Sequence, residues 1–333
     1  MPVPAQRDTA LMLSFDMAAI IGPLAHLLRS RYVFPQVGAR VAACVEQRHR
    51  EGAWDAHDDP AACLQALTAL LREASGDRHL RVGFTEQPQV DTPDHDRVTE
   101  QNDRRGHCER LAFGIERVER LPLNIGLLVV NEFVELLLSM PAVNAAMTLL
   151  AHVDALIIDV RRCVGGDPET VAWLCSHLFD RRVQLSTLVV TAEGREEQHW
   201  TSAGVAGPRL GPHKPVRVLT SHFTFSGAEM LAYDLQALQR ARVVGEVTGG
   251  GAHACQFHRL TPHVHLLLPE CRPVNPVTGG NWEGVGVQPD LPSPQHEALE
   301  VAQRELLQGW ISQPPAGLTA AAVAERLSAL QAP

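Results

Sequence analysis

A single lysine, Lys214, stands among the 333 residues. A serine nucleophile activated by lysine would have to use this one side chain. It lies at the polar start of the apolar run "VRVLTS", and a six-residue strand spans about 20 Å. A lysine base for anything at the far end of that strand is therefore excluded. Blocks of positive charge are also missing. The formal charge is −9, with Arg and Asp/Glu interspersed. Phosphate neutralisation supplies most nucleic-acid affinity, so nucleic acid is not expected as a partner. No CxxC pair occurs among the seven scattered cysteines, which argues against a zinc ribbon or a dense disulfide framework. They read as buried thiols in a reducing compartment. No HExxH occurs, and the "HVH" at His263 and His265 suits strand alternation, so neither a metal nor a cofactor is expected.

Long apolar runs are lacking too. The longest uncharged stretch, Leu136 to Val153, is broken by Pro141, Asn144 and His152 and reads as a buried segment, not a membrane span. The N-terminus has no basic start leading into an apolar run and cleavage site. The expected location is cytoplasmic, ahead of periplasmic or secreted.

What remains is ordinary for a globular chain: 45% hydrophobic and 20% charged residues in 36.3 kDa. Residues 1–75 read as an N-terminal helical bundle, with apolar residues at three- and four-residue spacing in "PLAHLLRSRYVF" and "VGARVAACVEQRHR". In "DDPAACLQALTALLREAS", Asp59 caps a helix, Pro60 sits in its first turn, Gly76 follows its end, and Leu64, Leu67 and Leu71 line its inner face. Leu80, Val82 and Phe84 alternate as in a strand, and a polar loop is expected over 85–110.

From Val118 strands and helices alternate, which predicts an α/β core over 76–333. "NIGLLVV" and the unbroken "ALIIDV" read as strands, and Glu132 to Leu150 as a helix. "RRCVGGDPETV" offers a Gly-Gly turn, then Asp167 as a helix cap followed by Pro168. "VRVLTS" and "ARVVGEVTGGG" repeat the strand-then-turn plan. A final helix begins near His296.

Ser226 follows the end of such a strand and opens a helix. Ligands of open α/β sheets gather outside the carboxyl ends of strands, and the helix start offers unpaired N–H donors to a developing oxyanion. The plainer use of a serine there is to cap the helix. A nucleophile needs a base, and with lysine excluded sixteen histidines remain. His79 stands at a turn-to-strand junction; His222 and His253 also lie beside strand-end or glycine-rich turns. Glu283 is an acid among glycines and an aromatic. Gly165 and Gly166 end a core strand and could direct N–H groups toward Ser226.

"ALIIDVRRCVGGDPETV", "FTFSGAEMLAYDLQAL", "RVVGEVTGGGAH" and "NPVTGGNWEGVGVQPD" follow in the order found in tail-specific (carboxyl-terminal processing) serine peptidases. The resemblance is nearest to bacterial members related to the repeat module of interphotoreceptor retinoid-binding protein, and it covers about 76–295. It implies a crotonase/ClpP-like α/β core with Ser226 as nucleophile. Where many members carry a lysine this chain reads "TGGGAHA". The tricorn branch uses histidine, serine and glutamate instead, and His79 and Glu283 match its histidine and acid. Gly227 and Gly165 would supply the oxyanion hole. Cys163 and Val164 replace the usual Asn and Gly of the turn, and Arg78 stands beside the histidine where the tricorn branch has serine. The interval after His79 is too short for a PDZ domain.

Two readings follow. One is a serine-type peptidase acting on a peptide or protein substrate through Ser226, His79 and Glu283, without cofactor, in a chain compatible with homo-oligomerisation. The other is a catalytically inactive module binding an apolar ligand such as a retinoid or lipid.

Overall fold

The computed structural model describes residues 16–54, 59–86, 88 and 103–330. In chain order the elements are α1 (Met17–Arg31), α2 (Pro35–Arg50), α3 (Pro60–Ser75), β1 (Arg81–Phe84), β2 (Ile115–Leu121), β3 (Ile125–Val130), α4 (Leu136–Leu150), β4 (Ala155–Asp159) and α5 (Pro168–Ser176). There follow β5 (Gln184–Val190), β6 (Arg195–Trp200), β7 (Val216–Thr220), α6 (Gly227–Ala237), β8 (Arg242–Gly245), β9 (Ala254–Arg259), β10 (Val264–Val274), β11 (Leu291–Pro292), α7 (Ala298–Trp310) and α8 (Ala320–Ala329). The chain divides into two compact units: 1–93 with 190–195 and 253–272, and 94–189 with 196–252 and 273–333.

The first unit is built on its helix caps. The Asp16 carboxylate accepts the Ala18 N–H at 2.9 Å, and the Asp59 carboxylate accepts that of Ala61 at 3.2 Å. Gly76, at φ +76, ends α3 in the left-handed conformation that glycine adopts without strain. Leu64, Leu67 and Leu71 pack with Ile20, Leu24, Leu28 and Val41. The same core takes Leu80, Val82, Leu266 and Leu268, from or beside β1 and β10, which pair antiparallel; β9 pairs antiparallel with β10.

The second unit holds a six-stranded sheet in the order β11-β8-β7-β4-β3-β2. Every neighbouring pair is parallel except β2 with β3. Successive strand residues point to opposite faces, and both faces are covered. Leu128, Ile158, Val218 and Val243 share a core with Met147 of α4, Val171 of α5 and Leu231 and Leu235 of α6. Their immediate neighbours Leu127, Ile157, Leu219 and Val244 pack instead with Ala302, Leu306 and Trp310 of α7. Covering both faces explains why these strands read as continuous apolar runs. Among the described residues no helix is long and apolar enough to cross a membrane.

Two sequence expectations change. The helix expected from Glu132 starts only at Leu136, because the preceding residues are used in extended form. Phe133 donates its N–H to the Gly165 carbonyl at 2.8 Å and accepts that of Asp167 at 2.7 Å. The expected loop over 85–110 falls partly outside the described residues, and its described end is helical over 103–110.

Leu67 has no exposed surface. Leu67→Ala removes several buried carbons and is expected to cost about 2–5 kcal/mol, read as a lower midpoint in urea unfolding followed by circular dichroism. A loss below about 1 kcal/mol would contradict a close-packed first unit.

Candidate active site

Ser226 has φ +52 and ψ −120. The backbones of Asp16, Asp59, Asp167 and Thr319, which also cap helices, are instead extended. Positive φ in a non-glycine residue costs about 1–3 kcal/mol and persists only where the surroundings enforce it. An ordinary cap does not require it. The enforcing group is Glu229, three residues on, whose carboxylate accepts the Ser226 N–H at 2.8 Å.

Glu229 is completely buried. Besides Ser226 it accepts the N–H of Gly250 at 2.7 Å, that of Gly251 at 2.9 Å, and the Thr248 hydroxyl at 2.5 Å. Burial raises its pKa, and these four donors oppose the rise. The loop after β8 is thereby fastened to the Ser226 turn. A further bond, Gly249 N–H to the Thr224 carbonyl at 2.9 Å, adds to the fastening.

The glycine turn after β4 closes on Ser226 from the other side. Cys163 accepts the Phe225 N–H at 3.1 Å through its carbonyl. Its thiol is buried, faces the Gly165 carbonyl at 3.8 Å, and is pushed up to about 12 by burial. Val164 is exposed. The Cys-Val replacement thus leaves the backbone link between the turn and the serine in place. Gly165 has φ +108, and a Cβ there would lie 2.7 Å from the Ser226 Cβ and 2.8 Å from the Gly227 nitrogen. Only glycine allows this approach. Gly227 is the first helical residue of α6, so its N–H is one of the helix's unpaired donors. Ser226, Gly227 and Gly165 are therefore brought together.

Glu283 belongs to the same unit. Its backbone N–H is held by the Asn281 side chain at 2.9 Å, and its carboxylate accepts the Ala252 N–H at 2.6 Å. The segment Thr248–Ala252 runs between Glu229 and this loop, since Gly284 donates its N–H to the Gly250 carbonyl and Trp282 its indole N–H to that of Gly251, both at 2.9 Å. Lys214 donates to the Ala151 carbonyl at 2.7 Å at the start of β7, the opposite end of that strand from Ser226. His222 is exposed and pairs with Glu246.

His79 lies in the first unit, 9% exposed. Burial pushes its imidazole down to about 4; Asp77 opposes the shift, and His253, Arg81 and Arg72 reinforce it. Its backbone is pinned by the Asp77 carboxylate, which accepts the His79 N–H at 3.0 Å. Asp77 also accepts from Nδ1 of His253 at 2.6 Å and from the Tyr32 hydroxyl at 3.2 Å. Burial works against ionising Asp77, but the bond and charge of His253 and the His79 N–H prevail and hold the carboxyl below its usual range.

The sequence patterns single out neither Glu229 nor Asp77. For Glu229 a signal existed: serine followed three residues later by glutamate at a helix start is the capping-box spacing. For Asp77 none did, because its partner His253 lies 176 positions away.

Residues 124–293, just over half of the chain, match the profile of peptidase family S41. The chain belongs to that family. It is accordingly a serine-type peptidase, with residues 8–110 matching the N-terminal domain of S41 peptidases described from eukaryotic interphotoreceptor retinoid-binding protein. Among solved structures it is similar to a photosystem II D1 C-terminal processing protease, at TM-score 0.52 and 13% identity, over 84% of this chain and 94% of that one. Mature CPAF is similar at TM-score 0.57 and 13% identity, over 84% and 93%. The tricorn protease matches at TM-score 0.54 and 13% identity, over 94% of this chain but 36% of the other. These likenesses establish an S41-type α/β fold.

Gly165→Ala tests the contact beneath the nucleophile. The added methyl must displace Ser226 or the turn, and labelling of Ser226 by a fluorophosphonate is expected to slow by roughly 10²–10³-fold, the scale of losing one oxyanion donor. Unchanged labelling would show that Gly165 does not shape the site.

Proposed function

We propose that this S41 peptidase cleaves peptide bonds with Ser226 as nucleophile, His79 as general base and Glu283 as the acid that orients the imidazole. The observation that carries the reading is the Ser226 backbone at φ +52, strained where an ordinary helix cap would be relaxed. Strain of this kind is retained where a hydroxyl has to be presented.

The chemistry divides into two acyl transfers. In the first, the Ser226 Oγ attacks the scissile carbonyl as His79 takes its proton, and the carbonyl oxygen becomes an oxyanion. The N–H groups of Gly227 and Gly165 receive that charge; each such donor typically contributes roughly 3 kcal/mol. His79 then returns the proton to the departing amine, leaving an acyl-serine. In the second, water attacks the acyl group with the same imidazole as base.

A buried imidazole is a fitting base here because it is neutral over the whole range near pH 7. Its depressed pKa makes the unprotonated form available down to about pH 4. The substrate is a peptide or a protein segment that reaches Ser226 in extended form.

Ser226→Ala is expected to abolish turnover of fluorogenic peptides, and His79→Ala to lower fluorophosphonate labelling of Ser226 by at least about 10²-fold. Labelling that is indifferent to His79→Ala removes His79 as the base. In wild type, kcat/KM is expected to rise with an apparent pKa about 4, not at the ordinary histidine value of 6.5. A rate that climbs only through 6.5 would assign the base to a solvated histidine instead.

A further inference from the structure

We propose that His253 is a positioning residue: it occupies the far oxygen of the Asp77 carboxylate and so keeps the charge of that carboxylate from drawing a proton onto His79. The inference rests on the reading of His79 as general base. It concerns residues of the first unit only, and it gives a purpose to a buried imidazole that the peptidase steps leave unused.

The geometry is a shared carboxylate. Asp77 Oδ1 accepts the backbone N–H of His79 at 3.0 Å, while Oδ2 faces Nδ1 of His253 at 2.6 Å and accepts the Tyr32 hydroxyl at 3.2 Å. The side chains of His253 and Asp77 are 4% and 2% exposed, so water does little to screen either. The ring of Phe34 stands edge-on to that of His253 at 5.3 Å and fixes its orientation. Tyr32 and Phe34 flank the entry to α2, so three separate parts of the unit converge on this carboxylate.

The electrostatic consequence follows from sign. A carboxylate held two residues from an imidazole favours the protonated ring, and a bound donor on the carboxylate weakens that pull. Among the charged and titratable groups acting on His79, Asp77 favours its protonation, and His253, Arg81 and Arg72 oppose it. Arg72 comes from α3, where its Nε is bonded to the Leu80 carbonyl at 3.2 Å, and Arg81 opens β1. Of the three opposing groups His253 alone is bonded to Asp77 among the described residues. Removing it takes the 2.6 Å donor from Asp77 Oδ2 and leaves there the longer 3.2 Å bond from Tyr32, so the pull of the carboxylate on His79 strengthens and the His79 pKa rises. A base that protonates at higher pH narrows the range over which the enzyme works.

The test reads the His79 ring itself, by heteronuclear NMR of the full chain labelled at histidine and titrated from pH 8 downward. In His253→Ala the His79 ring is expected to titrate higher than in wild type by about half a pH unit or more. His253→Asn returns an N–H donor to Asp77 and is expected to recover part of the difference. The acid limb of kcat/KM should move with the ring, with KM little changed. If His253→Ala does not fold, His253→Asn alone is compared with wild type and an upward shift is still required. An unchanged His79 titration in folded variants overturns the proposal, whereas a ring that shifts while the acid limb stays fixed overturns the assignment of His79 as the base. Because the titration needs no turnover, it separates this inference from the base assignment: loss of the base assignment would appear as His79-independent labelling of Ser226. Should labelling survive His79→Ala but vanish in His253→Ala, His253 is itself the base and the positioning role is refuted.

Discussion

The Glu229 carboxylate is the interaction on which the conformation of Ser226 depends. A fully buried carboxylate is costly unless nearly every lone pair has a donor. Four donors meet this one, from Ser226, Thr248, Gly250 and Gly251. Each is bonded to the same carboxylate, so the serine turn and the glycine loop after β8 are held as one body. The strain at Ser226, about 1–3 kcal/mol for positive φ, is offset by bonds to a charged acceptor, which are worth more than neutral ones. The glycines of that loop serve the same end: their N–H groups converge on one carboxylate, and bulkier residues would keep them apart. Gly249, whose N–H goes instead to the Thr224 carbonyl, would place a Cβ 2.7 Å from the Phe225 ring.

The glycine turn after β4 completes the arrangement by a different means. Its position is set by the extended residues that bridge Phe133 and Gly166. The Asp167 carboxylate caps α5 through the Glu169 N–H and also accepts the first N–H of α4 at 2.8 Å. One aspartate therefore starts two helices and fixes the turn between them. The chain can carry cysteine and valine at 163 and 164 because neither side chain supplies the contact to Ser226; the backbone of Cys163 and of Gly165 does.

Much of this was legible in the sequence. The caps at Asp59 and Asp167, the buried strands, the glycine turn and Ser226 at a strand-helix junction all come from local patterns, because caps and turns are decided by residues within four positions of each other. Sequence distance marks where legibility ends. Glu132–Glu135 look helical by composition, and only the bridge to Gly166 makes them extended. The return of residues 253–272 to the first unit depends on pairing β10 with β1, which no nearby residue dictates. Asp77 and His253 meet for the same reason. At Glu229 the local signal was present, but a glutamate at the third helical position ordinarily faces solvent, and its burial is a tertiary fact.

The two units carry their buried carboxylates in opposite electrostatic states, and this decides where acid acts first. In the second unit burial raises Glu229, and pushes Asp234 up from 3.8 to about 6, although Ser186 and Asn275 bond to it. A group whose folded pKa is raised favours the folded state as it takes up a proton, so acidification from pH 6 toward 4 does not withdraw support there. In the first unit Asp77 is lowered and His79 is depressed from 6.5 to about 4. From pH 6.5 downward the unfolded chain protonates His79 while the folded one does not until about 4, so stability falls across that window; the lowered Asp77 loses its contribution only below its ordinary 3.8. From pH 6.5 down to 4, then, the histidine turn weakens while the serine turn holds. Hydrogen exchange at pH 4 is expected to find faster opening at Leu80–Phe84 than at Val216–Thr220, relative to the same amides at pH 7. Equal acceleration in both strands would mean that the buried His79 does not govern the acid response of the first unit.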